Sequence, residues 1–543
     1  MARKLVLALI LSAGIVTVAL TGCGGGGSAP NVSTTPPPTS STHTDVTTYR
    51  DDVARTGADA TESVLTPANV NTSSFGLLRM LTVDGKVDAQ PLYLSQLSIA
   101  GATHDVVFIA TENDSVYAFD PRTGATLWHV SLLGSGETPS DDRGCDQITP
   151  EIGVTSTPVI DTSAGPNGAI FVVAMSKDSS SNYYQRLHAL DITTGAELFN
   201  GPVVVNPTYS STAGGQQTFS PGQYAERAAL LLENGTIYTS WTSHCDIQPY
   251  SGWIVAYSES TLAQTAVINI AADSSGGGPS IWMSGGGLAA DASGNIYLLS
   301  ANGDFDTTLN SSGLPQYGDY GNSFVKLSTA GGSLAVADFF APFNEVAESA
   351  ADEDLGSGGV LLLPDLTDSG GVVRHLVVGG GKDGNIYVIN RDSMGEFSPT
   401  GNADWQELDG VFGGGVFSTP AYFNGTIYYG GNGGPLEAFA VTGAKLSSQP
   451  VSETSTNFPY PGATPAVSAN GTSDGIVWAV ENSDPAVLHA YDATDLTQEL
   501  YDSSQAAAGR DNFGAGNKFI TPAVADGMVF VGTTNGVAVF GLL

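Results

Sequence analysis

The chain has 543 residues with 54 acidic against 18 basic side chains, a formal net charge of −36, yet charged residues make up only 13% of it against the usual ~25%. The acidic excess runs along the whole chain, so nucleic acid and anionic lipid surfaces are excluded as partners of the folded domain. Glycine numbers 68, about one residue in eight against the usual ~7%, which calls for many tight turns and few long helices.

The first 22 residues read as an export signal. Arg3 and Lys4 precede an apolar run from Leu5 to Leu20, only 16 residues long and short for a plain membrane span. Leu20-Thr21-Gly22-Cys23 resembles the lipobox of bacterial lipoproteins. That resemblance implies cleavage before Cys23, lipidation of its thiol, attachment to a membrane through the lipid and, with Gly24 following, an outer-membrane destination. Residues 23–47 are mostly Gly, Ser, Thr and Pro, with little to bury, and are expected to be a flexible tether. Residues 48–74 form an N-terminal extension, and 75–543 the folded domain.

From residue 106 onward a two-part phrase occurs eight times: a short β-branched and aromatic run, a turn of Gly, Asn and Asp, then a second run. The first copy is Val106–Ala110 with Val116–Asp120 and the last Val529–Thr533 with Val537–Gly541. Alternating runs split by turn residues are antiparallel hairpins, and repetition at this period predicts an all-β, eight-bladed propeller of four-stranded antiparallel blades. A Thr-Pro pair stands ahead of several hairpins, at Thr157-Pro158, Thr419-Pro420, Thr464-Pro465 and Thr521-Pro522, with Gln90-Pro91 a looser copy. Proline is tolerated where a strand begins, so these mark the innermost strand, A, with the hairpin as strands B and C and an outer strand D after it. The eighth copy runs into the last residue, Leu543, without a D strand. Phe75–Val83 is the free candidate, and its pairing with Val537–Phe540 would close the ring.

The long connections 132–153, 271–286, 341–358 and 503–519 (D to A) and 175–186, 242–252 and 301–323 (B to C) open on one face, where a site is expected. Cys145 and Cys245 lie in two of these loops, and in an exported chain they are expected to form a disulfide. No nucleophile elbow, zinc helix or phosphate loop is present. Asn302, Asp304 and Asp306, with Asp319 nearby, space oxygen ligands as calcium loops do, with a solvated polar turn as the alternative. Glu112-Asn113-Asp114 and Lys382-Asp383-Gly384-Asn385 read as hairpin turns. His188 and His489 share a Leu-His-Ala position on C strands and read as repeat residues.

Ala118-Phe119-Asp120-Pro121-Arg122-Thr123-Gly124-Ala125-Thr126-Leu127-Trp128 resembles the repeat of pyrroloquinoline quinone (PQQ) propellers, and Ala189–Phe199 is a second copy with Phe199 in place of Trp. In that family the Trp docks one blade on the next. The run from Tyr49-Arg50 through Ala54-Arg55-Thr56-Gly57 to Leu65–Val70 is similar to a group of bacterial PQQ-like repeat proteins without a settled activity. Quinoprotein dehydrogenases stack PQQ between a tryptophan and a disulfide of adjacent cysteines, and here no two cysteines adjoin. The resemblance implies Trp282 as a floor and Arg227 or Lys382 as partners of cofactor carboxylates, with PQQ and Ca2+ as the cofactors it would bring. A second resemblance is to the cofactor-free propeller lipoprotein of the outer-membrane barrel assembly machinery. The expectation is therefore a monomeric envelope lipoprotein that binds a ligand or an envelope protein on its loop-rich face, with a PQQ-dependent oxidoreductase as the alternative.

Overall fold

The computed structural model describes residues 43–211, 215–273 and 277–543; the signal segment, Cys23 and the tether up to residue 42 lie outside the described residues. Eight antiparallel sheets follow one another around a ring, each running A to D outward. Blade 1 spans Leu92–Ser131 and blade 2 Val159–Val204; blade 3 spans Leu231–Asn269, blade 4 Ala289–Phe340 and blade 5 Leu361–Leu408. Blades 6, 7 and 8 start at Ala421, Ala466 and Ala523. The Thr-Pro marks stand immediately ahead of the A strands of blades 2, 6, 7 and 8, as does Gln90-Pro91 for blade 1.

The ring closes as expected. Phe75–Thr82 is the D strand of blade 8 and pairs antiparallel with Gly536–Leu542, Leu81 opposite Val537 and Leu77 opposite Phe540. Phe75 fills the seam, its ring 4.9 Å from Tyr501 and 5.4 Å from Trp478. Between blades 1 and 2 the repeat motif works as a dock. Asp120 folds its own turn by accepting from the amides of Arg122 and Thr123, and Trp128 donates to the Ile192 carbonyl of the next blade at 2.9 Å. A Cβ on Gly195 would stand 2.8 Å from the Trp128 ring, so this turn requires glycine for close approach as well as for its φ of +71°.

The segment 175–186 differs from its reading as a loop. Ala169–Asp178 and Tyr183–Asp191 continue as paired strands, and Glu137–Asp141, from the connection after blade 1, adds to the edge of this hairpin.

The larger difference is at the N-terminus. The compact unit begins at His43, and residues 43–47, assigned by composition to the tether, are part of it. Residues 44–62 cross the inner wall of the ring and bond to every blade in turn. Val46 exchanges both backbone bonds with Tyr93 of blade 1, and the Thr47 carbonyl accepts from Ile160 of blade 2. The carbonyls of Val53, Ala54, Thr56 and Gly57 accept from Ala290, Leu362, Tyr422 and Val467 of blades 4 to 7. Thr44 and Glu62 hold the Asp526-Gly527 turn of blade 8. Two buried arginines fix this strap. Arg55 donates to the carbonyls of Leu230, Leu288 and Tyr49 and to the Thr48 hydroxyl, while Arg50 donates to the carbonyls of Pro420 and Pro465. The Thr-Pro marks are thus where the strap docks, and the Tyr49 hydroxyl reaches the hydroxyls of Thr419 and Thr521 as well.

Candidate functional site

The loops of the face where D-to-A and B-to-C connections meet surround a cavity of 440 Å3. That size falls among small-molecule sites. Its aromatic lining is a closed square of four rings, each from a segment leading into an A strand. Trp282 meets Phe417 at 6.2 Å, Phe417 meets Tyr460 at 5.3 Å, Tyr460 meets Phe519 at 6.1 Å and Phe519 returns to Trp282 at 6.2 Å. The Trp282 predicted as a floor is one side of this collar. Sequence reading missed the other three, although Phe417 and Phe519 stand two residues ahead of a Thr-Pro mark and Tyr460 stands four ahead.

The cysteine prediction holds: Cys145 and Cys245 form a disulfide with Cα atoms 5.6 Å apart, and both line the cavity. Residues around it occupy unusual backbone conformations, with positive φ at Cys245, Asp246, Met283, Ser284 and Phe519. Such geometry concentrates where loops are held for function and not for their own stability.

Three cations reach the cavity in a chain that has few. Arg227 is buried, its guanidinium 5.2 Å from the Phe519 ring centre, and Lys518 lies 5.7 Å from the same ring. Among the described residues neither forms a salt bridge, although the Asp88 charge acts on both. Arg227 contacts the Thr155 carbonyl at 3.5 Å and Lys518 the Gln147 side chain at 2.7 Å. Burial first, then repulsion from Arg227, holds the Lys518 amine below its usual range. Lys382 is different. Its ammonium sits 2.6 Å from Asp354 and 3.1 Å from Asp352, so its charge is already answered and it is not free for a ligand carboxylate.

Across the cavity Asp88 accepts from Asn517 at 2.9 Å and pairs with Lys86 at 3.1 Å. Burial works against its charge, but a hydrogen bond with Glu112 and the charges of Lys86 and Arg227 outweigh it and keep Asp88 ionised. Glu112 is fully buried, and burial, then the charge of Asp88, pushes its carboxyl well up. Glu112 also accepts from Gly153 and Thr155, so a residue that stands in the expected hairpin turn ties that turn to the 132–153 connection as well.

The carboxylates assigned to the 301–323 loop are neighbours, Asp304 and Asp306 acting on Asp319 by charge, but no three of them bring ligand atoms within 4.8 Å of one another among the described residues. Asn302 turns to Asp352 and Asp354, and the Asp306 carboxylate is used by its own turn, accepting from the amides of Tyr317 and Asp319. Asp304, Asp306 and Asp319 do not converge on one point among the described residues. Instead the region stores protons. Burial, then Asp306, pushes Asp319 up to about 7; in the helix Glu345–Ala351 burial pushes Glu345 to about 7 and Glu348 to about 8. These folded-state pKa values lie above the unfolded ones, so the folded chain binds more protons and stability is expected to fall as pH rises from about 4.5 to 8. Thermal unfolding of wild type at pH 6 and pH 9 checks this. Glu348→Gln should shrink the difference, and an unchanged difference would sink the assignment.

The ring of eight blades, the Asp/Thr-Gly/Trp docking motif and the cavity on the loop-rich face define a PQQ-like propeller. Residues 112–269, from the hairpin turn of blade 1 to the end of blade 3, match the PQQ_2 family profile, described as outer membrane protein assembly factor BamB. No curated protein matches the chain. Among solved structures, quinohemoprotein alcohol dehydrogenase from Comamonas testosteroni aligns with a TM-score of 0.59 at 16% identity, over 92% of this chain and 80% of that one. Quinohemoprotein alcohol dehydrogenase ADHIIG from Pseudomonas putida HK5 aligns at 0.58 and 14%, over 92% and 80%, and a europium-containing methanol dehydrogenase at 0.56 and 14%, over 92% and 98%. Likeness at this identity shows the fold alone. No helix among the described residues is long and apolar enough to cross a membrane.

Proposed function

We propose that the cavity binds a small planar anion and that the chain is an envelope binding protein, tethered to the outer membrane through Cys23. The observation that carries this is the pair Arg227 and Lys518. Two cations face one aromatic ring and repel each other, with no ion pair to either among the described residues, in a chain with three acidic groups for every basic one. An anion with a flat face would relieve their repulsion and stack on the collar. The lipobox-like run and the envelope name of the family profile that matches residues 112–269 support the location.

PQQ itself meets part of this site. Trp282 and its three neighbours would supply an aromatic surface, and Arg227 and Lys518 would hold carboxylates; when bound, the quinone would supply a two-electron acceptor. The metal that assists such quinones does not fit, because Asp352 and Asp354 are engaged by Lys382 and the 301–323 carboxylates do not converge. The names of the aligned dehydrogenases keep an oxidoreductase as the second reading.

Titration with PQQ and with redox-inert benzene-1,3,5-tricarboxylate, followed by tryptophan fluorescence, tests the proposal. Both are expected to bind, and Arg227→Ala or Lys518→Ala should each weaken binding at least about tenfold, as loss of a charged contact worth ~1.4 kcal/mol would. Failure of both probes to bind would refute it. Alcohol-dependent dye reduction with PQQ would favour the oxidoreductase.

A further inference from the structure

Away from the cavity, the Leu-His-Ala histidine of blade 7 sits in a setting that its counterpart in blade 2 lacks. His489 is 3% exposed, on the C strand Val487–Asp492. Its Nδ1 lies 2.9 Å from Glu499 Oε1 on the neighbouring D strand, and Asp502, directly opposite His489 in the ladder, brings a second carboxylate. One ligand atom each from His489, Glu499 and Asp502 lie within 4.8 Å of one another.

Glu499 and Asp502 are three apart and would point to opposite faces of a regular strand. A bulge removes that conflict. Tyr501 pairs with Ala490 and Glu499 with Tyr491, leaving Leu500 as the extra residue and turning both carboxylates to the side of His489. Gln505 then donates toward both, at 3.0 Å to Asp502 and 3.5 Å to Glu499.

A second observation concerns the other ring nitrogen. Nε2 is buried without a hydrogen-bond partner, and Glu481 Oε2 stands 3.6 Å from it. A carboxylate behind the distal nitrogen is the arrangement that orients a metal-bound imidazole. In blade 2 His188 faces Glu197 in the same way, but among the described residues its Nε2 meets no carboxylate and no second ligand joins the pair.

We propose that His489, Glu499 and Asp502 bind a first-row divalent cation of the zinc type, with Glu481 as the positioning carboxylate and water completing the shell. One imidazole nitrogen with two carboxylate oxygens suits zinc better than calcium, which takes six to eight oxygens. The His489–Glu499 separation is already close to the ligand–ligand edge of about 3.3 Å expected of a tetrahedral site with ~2.0 Å bonds. The site is independent of the cavity and of any ligand there.

Calorimetric titration of Zn2+ into the full chain carrying Cys23→Ser, so that no free thiol competes, with Co2+ visible absorbance as a second readout, tests this. One saturable site is expected. His489→Ala and Asp502→Asn should each weaken Zn2+ binding at least about tenfold, while His188→Ala should leave it unchanged. Asp502 is partly exposed, so its variant keeps the test sound if the His489 variant does not fold. Absence of saturable binding, or equal affinity in the His489 and Asp502 variants, would overturn the proposal.

Discussion

Replacing Arg55 by alanine should cost this protein at least about 3 kcal/mol of stability. Its guanidinium is fully buried and forms no ion pair among the described residues; burial holds its pKa down to about 10, against the opposing charge of Asp52. What keeps it in place is a set of oxygens. The Leu288 carbonyl lies at 2.8 Å, that of Tyr49 at 2.7 Å, that of Leu230 at 3.2 Å and the Thr48 hydroxyl at 2.8 Å. Truncation leaves these acceptors buried and unpaired, at about 1–3 kcal/mol each where water does not reach. It also releases the strap from blades 3 and 4. Lysine should rescue little, because a single ammonium cannot reach oxygens spread over the planar fork of a guanidinium. The urea midpoint of Arg55→Ala and Arg55→Lys measures this. A change under about 0.5 kcal/mol in the alanine variant would show that the strap is a passenger.

The ring was legible in the sequence because its signal is repeated. Eight hairpins with alternating apolar residues leave little freedom in fold, and the missing eighth D strand pointed to 75–83. The disulfide was legible through loop assignment, since Cys145 and Cys245 fall in connections on one face. The strap was not. Residues 43–62 offer few apolar side chains, and their cohesion comes from backbone carbonyls and two arginines, which composition reads as solvated polar chain. The cavity was half legible for a related reason. Trp282, Arg227 and Lys382 are implied by the resemblance to PQQ propellers, whereas Phe519 and Lys518 become meaningful only when D-to-A segments from distant blades meet on one axis. The 301–323 loop misled because Asn and Asp at alternate positions serve turn formation as readily as ligation, and Asp306 spends its carboxylate on the amides of Tyr317 and Asp319.

Removing the closing strand should do more damage than removing the strap, and two truncations separate them. A chain beginning at Ser63 lacks the strap but keeps Phe75–Thr82 on blade 8; a chain beginning at Gly85 lacks both. In the second, Gly536–Leu542 becomes an open edge with the sequence GVAVFGL, seven residues without charge or proline. Such an edge is a template for pairing with another chain. Loss of Phe75 also opens the seam over Trp478, Tyr501 and Phe540. The chain from Gly85 is therefore expected to aggregate, and the chain from Ser63 to stay monomeric with a lowered melting temperature, as light scattering and thermal unfolding would read. A synthetic peptide of residues 73–84 added in trans should restore solubility to the shorter chain, because it supplies the partner for Val537 to Phe540. If the chain from Gly85 stays monomeric without the peptide, the eighth blade needs neither its N-terminal strand nor the strap, and closure of the ring rests on packing between neighbouring blades instead.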